Sequence, residues 1–89
     1  MYLQYSIYSN KKTQKKINTI DKTQKKAIDH KLFEIANDPY RFKPLKYPLN
    51  NKRRVHILKS FVLIYSIDEY NKRVILEYYG HHDQAYQTK

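Results

Sequence analysis

The sequence predicts an α+β fold with the element order β-α-α-β-β-β: a four-stranded, mainly antiparallel sheet with a helical hairpin on one face. Three observations lead there. The N-terminal "YLQYSIY", residues 2 to 8, alternates with a period of two. The segment from Ser9 to Pro39 has little β character and holds two separate helix-capping signals. From Lys52 onward the chain turns into three apolar runs divided by short polar breaks. The 89 residues are expected to form one domain, 1-89, because a chain this short buries only about 60 to 65% of its unfolded surface and cannot divide that into two cores.

In the first strand Leu3, Tyr5 and Ile7 share one face, with Gln4 and Ser6 opposite. Ser9 or Asn10 can cap a short helix ending near Asn18 or Thr19. Asp21 offers a second N-cap, after which Ala27, Ile28, Leu32, Ile35 and Ala36 recur at steps of three and four until Asn37, Asp38 and Pro39 stop the pattern. Both helices lie between the first two strands, so they most simply cover one face of the sheet and leave the other open. Residues 38 to 50, "DPYRFKPLKYPLN", contain all three prolines and form an ordered or extended connection.

The last three strands, within "KRRVHILK", "SFVLIYSID" and "KRVILEYYG", are joined tightly enough to form an antiparallel meander. The middle run is almost wholly apolar and therefore central. In the first of the three, Val55 and Ile57 alternate toward the core, while Arg54, His56 and Leu58 point to the other face. The sheet thus acquires a basic side.

Charge narrows the class of partner. Eighteen Lys and Arg against eight Asp and Glu give a net charge of +10, an excess that favours polyanions because each phosphate neutralised releases condensed counterions. The pentapeptide "KTQKK" occurs at 12 to 16 and again at 22 to 26. That is too short for a structural repeat and reads as two similar helix openings with exposed lysines. Cysteine is absent and "FVLIY" is the longest apolar run, so neither disulfides nor a membrane span of about 20 residues is expected. The N-terminus lacks the pattern of a secretion signal, and a cytoplasmic location is the default expectation. The lone glycine, Gly80, excludes glycine-rich phosphate loops.

The ending "YYGHHDQAY", residues 78 to 86, gathers two histidines, an aspartate and three tyrosines. Together with the "RVHILKSFVLIYSID" hairpin and the order of elements, it resembles the RelE/ParE toxin superfamily, and within it the RelE, YoeB and YafQ type of mRNA-cleaving toxin. The likeness extends from about Ser6 to Tyr86. It implies a RelE-like, microbial-ribonuclease-like fold and an enzyme that cuts mRNA in the ribosomal A site without metal or cofactor, by attack of the ribose 2′-hydroxyl on its own phosphate. It also implies an acidic RelB-like antitoxin that binds the toxin in a hetero-oligomer. Carried over residue by residue, Arg54 and His56 match the alternating basic positions of the family's second strand, His82 the histidine or arginine after the last strand, and Tyr86 the terminal aromatic. Where many members have "YRLVY", this chain has Val62 in "FVLIY". One phosphate-stabilising cation is therefore missing or comes from Lys52, Arg53 or Lys59.

The residues suit these roles. Metal-free cleavage needs a base for the 2′-OH, an acid for the leaving 5′-oxygen and cations for the charge on phosphorus. Histidine serves either proton role, which makes His82 the first candidate and His56 its complement. Arg54, with its forked and permanently charged guanidinium, suits phosphate, and Tyr86 would stack a base. Lys52, Arg53, Lys59 and His81 are the further candidate phosphate contacts, and Asp83 could orient either neighbouring imidazole. A metal reading of "HHD" with His56 is weak, since adjacent strand residues face apart. A non-enzymatic alternative, a ParE-like gyrase inhibitor or an inactive relative that binds only its antitoxin, needs no catalytic histidine.

Overall fold

The computed structural model describes residues 4–85. Four strands, β1 (Ser6–Ser9), β2 (Lys52–Ile57), β3 (Phe61–Asp68) and β4 (Arg73–His81), form one sheet in the order β1-β4-β3-β2. The neighbours β2–β3 and β3–β4 are antiparallel and β1 lies parallel to β4. Helices α1 (Lys11–Asn18) and α2 (Lys22–Asn37) fill the insertion after β1, and a four-residue helix α3 (His82–Ala85) follows β4. The expected α+β order is therefore observed, with α3 as an addition at the end.

The capping residues act as their chemistry dictates. The Asn10 side chain accepts the Thr13 amide and that of Asp21 the Gln24 amide, each at 2.8 Å, satisfying donors that a helix start leaves without an internal partner. The two "KTQKK" copies sit one residue out of phase with these caps. Thr13 is consequently buried whereas Thr23 is exposed, and Gln24 instead turns inward to accept the Tyr79 hydroxyl at 2.6 Å. Lys15, Lys16, Lys25 and Lys26 remain exposed in both copies.

Strand β1 is half the length of its neighbour. It pairs only with Arg73–Leu76, and at Asn10 the chain leaves the sheet while its backbone amide still bonds Leu76 O and its side-chain amide bonds Glu77 O, both at 3.2 Å. Helix α1 thereby takes up the edge that β1 vacates along the second half of β4. The expected placement of both helices on one face is observed: α2 packs there through Ile28 and Ile35, and α1 reaches the same core through half-buried Ile17. Helix α1 also reaches over the sheet edge, where its Lys12, Thr13 and Lys16 line a groove with Ile64 and Tyr78 from the other face.

Alternation places the core. Val55 opposes Leu63 and Ile57 opposes Phe61, and these residues pack with Tyr5, Ile28, Ile35, Tyr65, Val74, Leu76 and Tyr79. Each fully buried aliphatic side chain contributes about 1.5–3 kcal/mol. Tyr5 and half-buried Ile7 both join this core, as the period of two predicts, while Leu3 lies outside the described residues. Tyr65 is buried with its hydroxyl donated to Pro39 O at 2.7 Å; burial pushes its pKa up to about 12, so it remains a neutral donor. Among the described residues no helix is long and apolar enough to cross a membrane.

Candidate active site

Opposite the α2 face, the sheet presents Lys52, Arg54 and His56 at alternate positions of β2. Arg54 pairs with Ile64 and His56 with Val62. Both β3 residues are buried, so the two polar side chains stand on an apolar floor. Arg54 and His56 are themselves exposed.

The third element of the site comes from the end of β4. After His81 the chain turns into α3, and the His82 amide donates to Ser60 O at 2.8 Å in the β2–β3 turn. That bond brings the His82 ring beside His56, with centroids 6.5 Å apart and planes at 66°. Asp83 Oδ1 lies 3.1 Å from His82 Nδ1. A carboxylate there favours the proton on Nδ1 and leaves Nε2 with its lone pair available. His81 Nδ1 is 3.7 Å from the other carboxylate oxygen, yet it also accepts the Asp83 backbone N–H at 3.3 Å. An accepting nitrogen carries no proton, so of the two imidazoles it is that of His82 whose Nδ1 faces the Asp83 carboxylate as a donor. The His81 ring stacks on His82 at 5.4 Å and meets Phe61 edge-on at 5.7 Å.

The remaining candidates separate. Arg53 faces the α2 side, because alternation puts it opposite Tyr65; its guanidinium donates to Phe42 O at 2.6 Å and lies over the Tyr40 ring at 5.1 Å. Arg53 thus braces the connection before β2 and does not join Arg54. Lys59 is exposed in the β2–β3 turn, beside the Ser60 carbonyl that holds His82. Lys52 is on the same face as Arg54 but is bonded to Glu77, which also accepts the Ser66 hydroxyl. Burial would raise the Glu77 pKa, but the bonds from Lys52 and Ser66 outweigh it and hold the carboxylate below its ordinary range. Much of the Lys52 charge is therefore met within the protein. Tyr86 lies outside the described residues.

Two features of this face escaped the sequence. Leu76 pairs with Tyr65 and Tyr78 with Ile64, so Glu77 is the extra residue of a β-bulge that aims its carboxylate at Lys52 and Ser66. The Tyr78 ring lies across Gly80, where a Cβ would fall 2.5 Å from the Tyr78 hydroxyl oxygen. Glycine here provides room for the ring. Of the two neighbouring tyrosines, Tyr79 packs into the core and Tyr78 stands half-buried on the site face.

No protein-family model matches the chain. A Methanocaldococcus jannaschii protein named "Putative toxin RelE4" is 47% identical over 74 residues, which cover 83% of this chain and 79% of that one. The fold is shared with RelE in the intact Escherichia coli RelBE toxin–antitoxin complex, at a TM-score of 0.78 and 15% identity, covering 86% of this chain and 95% of RelE. A mutant of YafQ from Escherichia coli superposes with a TM-score of 0.71 at 18% identity over 93% of this chain and 99% of YafQ. With 47% identity to an archaeal RelE relative over an alignment that covers most of both chains, and with this fold, the chain belongs to the RelE family of toxins.

Proposed function

We propose that this protein is the toxin of a toxin–antitoxin pair and acts as a ribosome-dependent endoribonuclease on mRNA. The observation that carries the reading is the convergence of His82 on His56 over the face that also bears Arg54. His82 Nε2, with Asp83 at Nδ1, takes the proton of a ribose 2′-hydroxyl. The freed 2′-oxygen attacks the adjacent phosphorus, the bond from phosphorus to the 5′-oxygen breaks, and His56 protonates that leaving oxygen. A 2′,3′-cyclic phosphate and a 5′-hydroxyl result. Arg54 holds the charge that builds on the non-bridging oxygens, where a guanidinium offers paired donors.

The net charge of +10 supports a polyanionic substrate and an acidic partner, and the structural neighbour in the RelBE complex is itself bound by an antitoxin. Primer extension on translated mRNA after induction tests the reading. New 5′ ends should appear with the wild type and vanish with a folded His82→Ala variant; equal cleavage by both would overturn the assignment. A binding-only toxin, including a gyrase inhibitor, is the second reading. It is favoured by Val62, which puts a buried aliphatic residue at the centre of this face. Blocked DNA supercoiling without mRNA cleavage would select it.

A further inference from the structure

Adjoining the Arg54 position, a groove of about 390 Å³ opens between α1 and the connection that precedes β2. Its floor is Ile64 and Tyr78, Leu45 and Leu49 form one wall, and Lys12 and Lys16 stand on the other. Leu45 is fixed there because its amide donates to Lys52 O at 2.8 Å, extending the sheet edge beyond β2. Resting on the reading of this face as an RNA surface, we propose that the groove is a subsite for a nucleotide flanking the scissile linkage: the base lies on Tyr78 and Ile64, and its phosphate is held by Lys12 and Lys16.

Four observations support a nucleotide. The groove is continuous with the candidate site, since Ile64 pairs with both Arg54 and Tyr78. From Lys52 through Arg54 to His56 the row on β2 spans about 13 Å at ~3.3 Å per residue, the reach of a few nucleotides. Its charge is unbalanced toward anions: Glu77 is the acidic residue of the lining and is already engaged by Lys52 and Ser66, whereas Lys12 and Lys16 have no ion pair among the described residues. Finally, the volume sits at the small end of the ~300–1,000 Å³ typical of ligand sites. That suits one nucleotide better than a partner helix, which needs anchors spread over two turns. An aromatic floor with a cationic rim matches how single-stranded RNA is held, by stacking plus phosphate contacts.

The arrangement also gives the first "KTQKK" a role that the second lacks. Residues 12 and 16 are one helical turn apart, so both lysines project toward the groove, while the second copy opens α2 away from it.

The test uses the full chain and a short single-stranded RNA carrying a 2′-O-methyl group at the cleavage position, so that it binds without being cut. Amide chemical shifts should move at Lys12, Lys16, Leu49, Ile64 and Tyr78 together with Arg54 and His56. The Lys12→Ala/Lys16→Ala variant should lower the salt slope of binding by at least ~0.7, the value for one phosphate on a single strand. Tyr78→Leu should weaken binding at least ~5-fold with the slope unchanged. Shifts at Arg54 and His56 without the groove would overturn the subsite and leave the nuclease reading standing. Shifts nowhere would overturn the subsite, and the primer-extension result would then judge the nuclease separately. An acidic amphipathic peptide that fills the groove while RNA does not would overturn it in favour of a protein partner.

Discussion

The imidazoles of His56 and His82 meet edge to face with centroids 6.5 Å apart, one from near the end of the edge strand β2 and the other from the first residue after β4. At that separation the rings do not bond to each other, and a phosphodiester can approach both. His82→Ala should lower the rate of mRNA cleavage by about 100-fold or more, within the range of general acid–base catalysis. Because the side chain is about half exposed, the unfolding free energy from urea denaturation should change by no more than ~0.5 kcal/mol.

Asp83 touches His82 and not the reacting atoms in this scheme, so it acts by positioning. Asp83→Asn should reduce cleavage about 10-fold and alter the shape of its pH profile, because the amide no longer favours a proton on Nδ1. Asp83→Glu should restore part of the rate. A profile identical to that of the wild type would show that the carboxylate does not govern the tautomer.

Glu69 buckles three segments of the fold together. Tyr5 and Tyr40 donate to its Oε1 at 2.7 and 2.6 Å, and Lys72 bonds to Oε2. Led by Lys72, then Tyr40 and Tyr5, these donors pull its pKa down to about 2, below the ~4.3 of an unfolded chain. The folded state thus gains stability above about pH 4.3, and that gain is lost as the pH falls toward about 2. Denaturation midpoints measured from about pH 6 to about pH 2 should fall less steeply in Glu69→Gln than in the wild type. The exposed setting should make the difference shrink with added salt.

Tyr65→Phe removes the hydroxyl that serves the Pro39 carbonyl while keeping the ring in the core. Leaving that buried acceptor without its donor should cost about 1–3 kcal/mol in urea denaturation. Cleavage by the protein that remains folded should be unaffected, since Tyr65 faces α2 and not the histidines.

Gly80→Ala places a methyl group against the end of the Tyr78 ring. The ring is the mobile partner, so the sheet should persist and the tyrosine should move. Expected results are an unchanged far-ultraviolet circular dichroism spectrum and RNA binding weakened to about the level of Tyr78→Leu. Unchanged affinity would place the base elsewhere.

The local patterns were legible because they need only a few neighbours. The cap at Asp21, the three-and-four spacing of Ile28, Leu32 and Ile35, and the alternation of Val55 and Ile57 with Arg54 and His56 all reappear where short-range sterics and burial put them. Arg53 followed the same alternation, and its exclusion from the site could have been foreseen from its opposition to Arg54 on the strand. What depended on long-range contacts was hidden. The parallel pairing of β1 with β4, the bulge at Glu77 and the bond from His82 to Ser60 join residues far apart in the chain.

By itself, then, the sequence determined which side chains share a strand face and which residues start the helices, because backbone geometry imposes those relations within a few residues. Only the tertiary structure decided that β1 stops early and lets α1 occupy the β4 edge, that Tyr78 lies over Gly80, and that the chain turns after His81 to bring His82 to His56. Those outcomes come from competition among distant surfaces for burial and hydrogen-bond partners, a contest that no local pattern records.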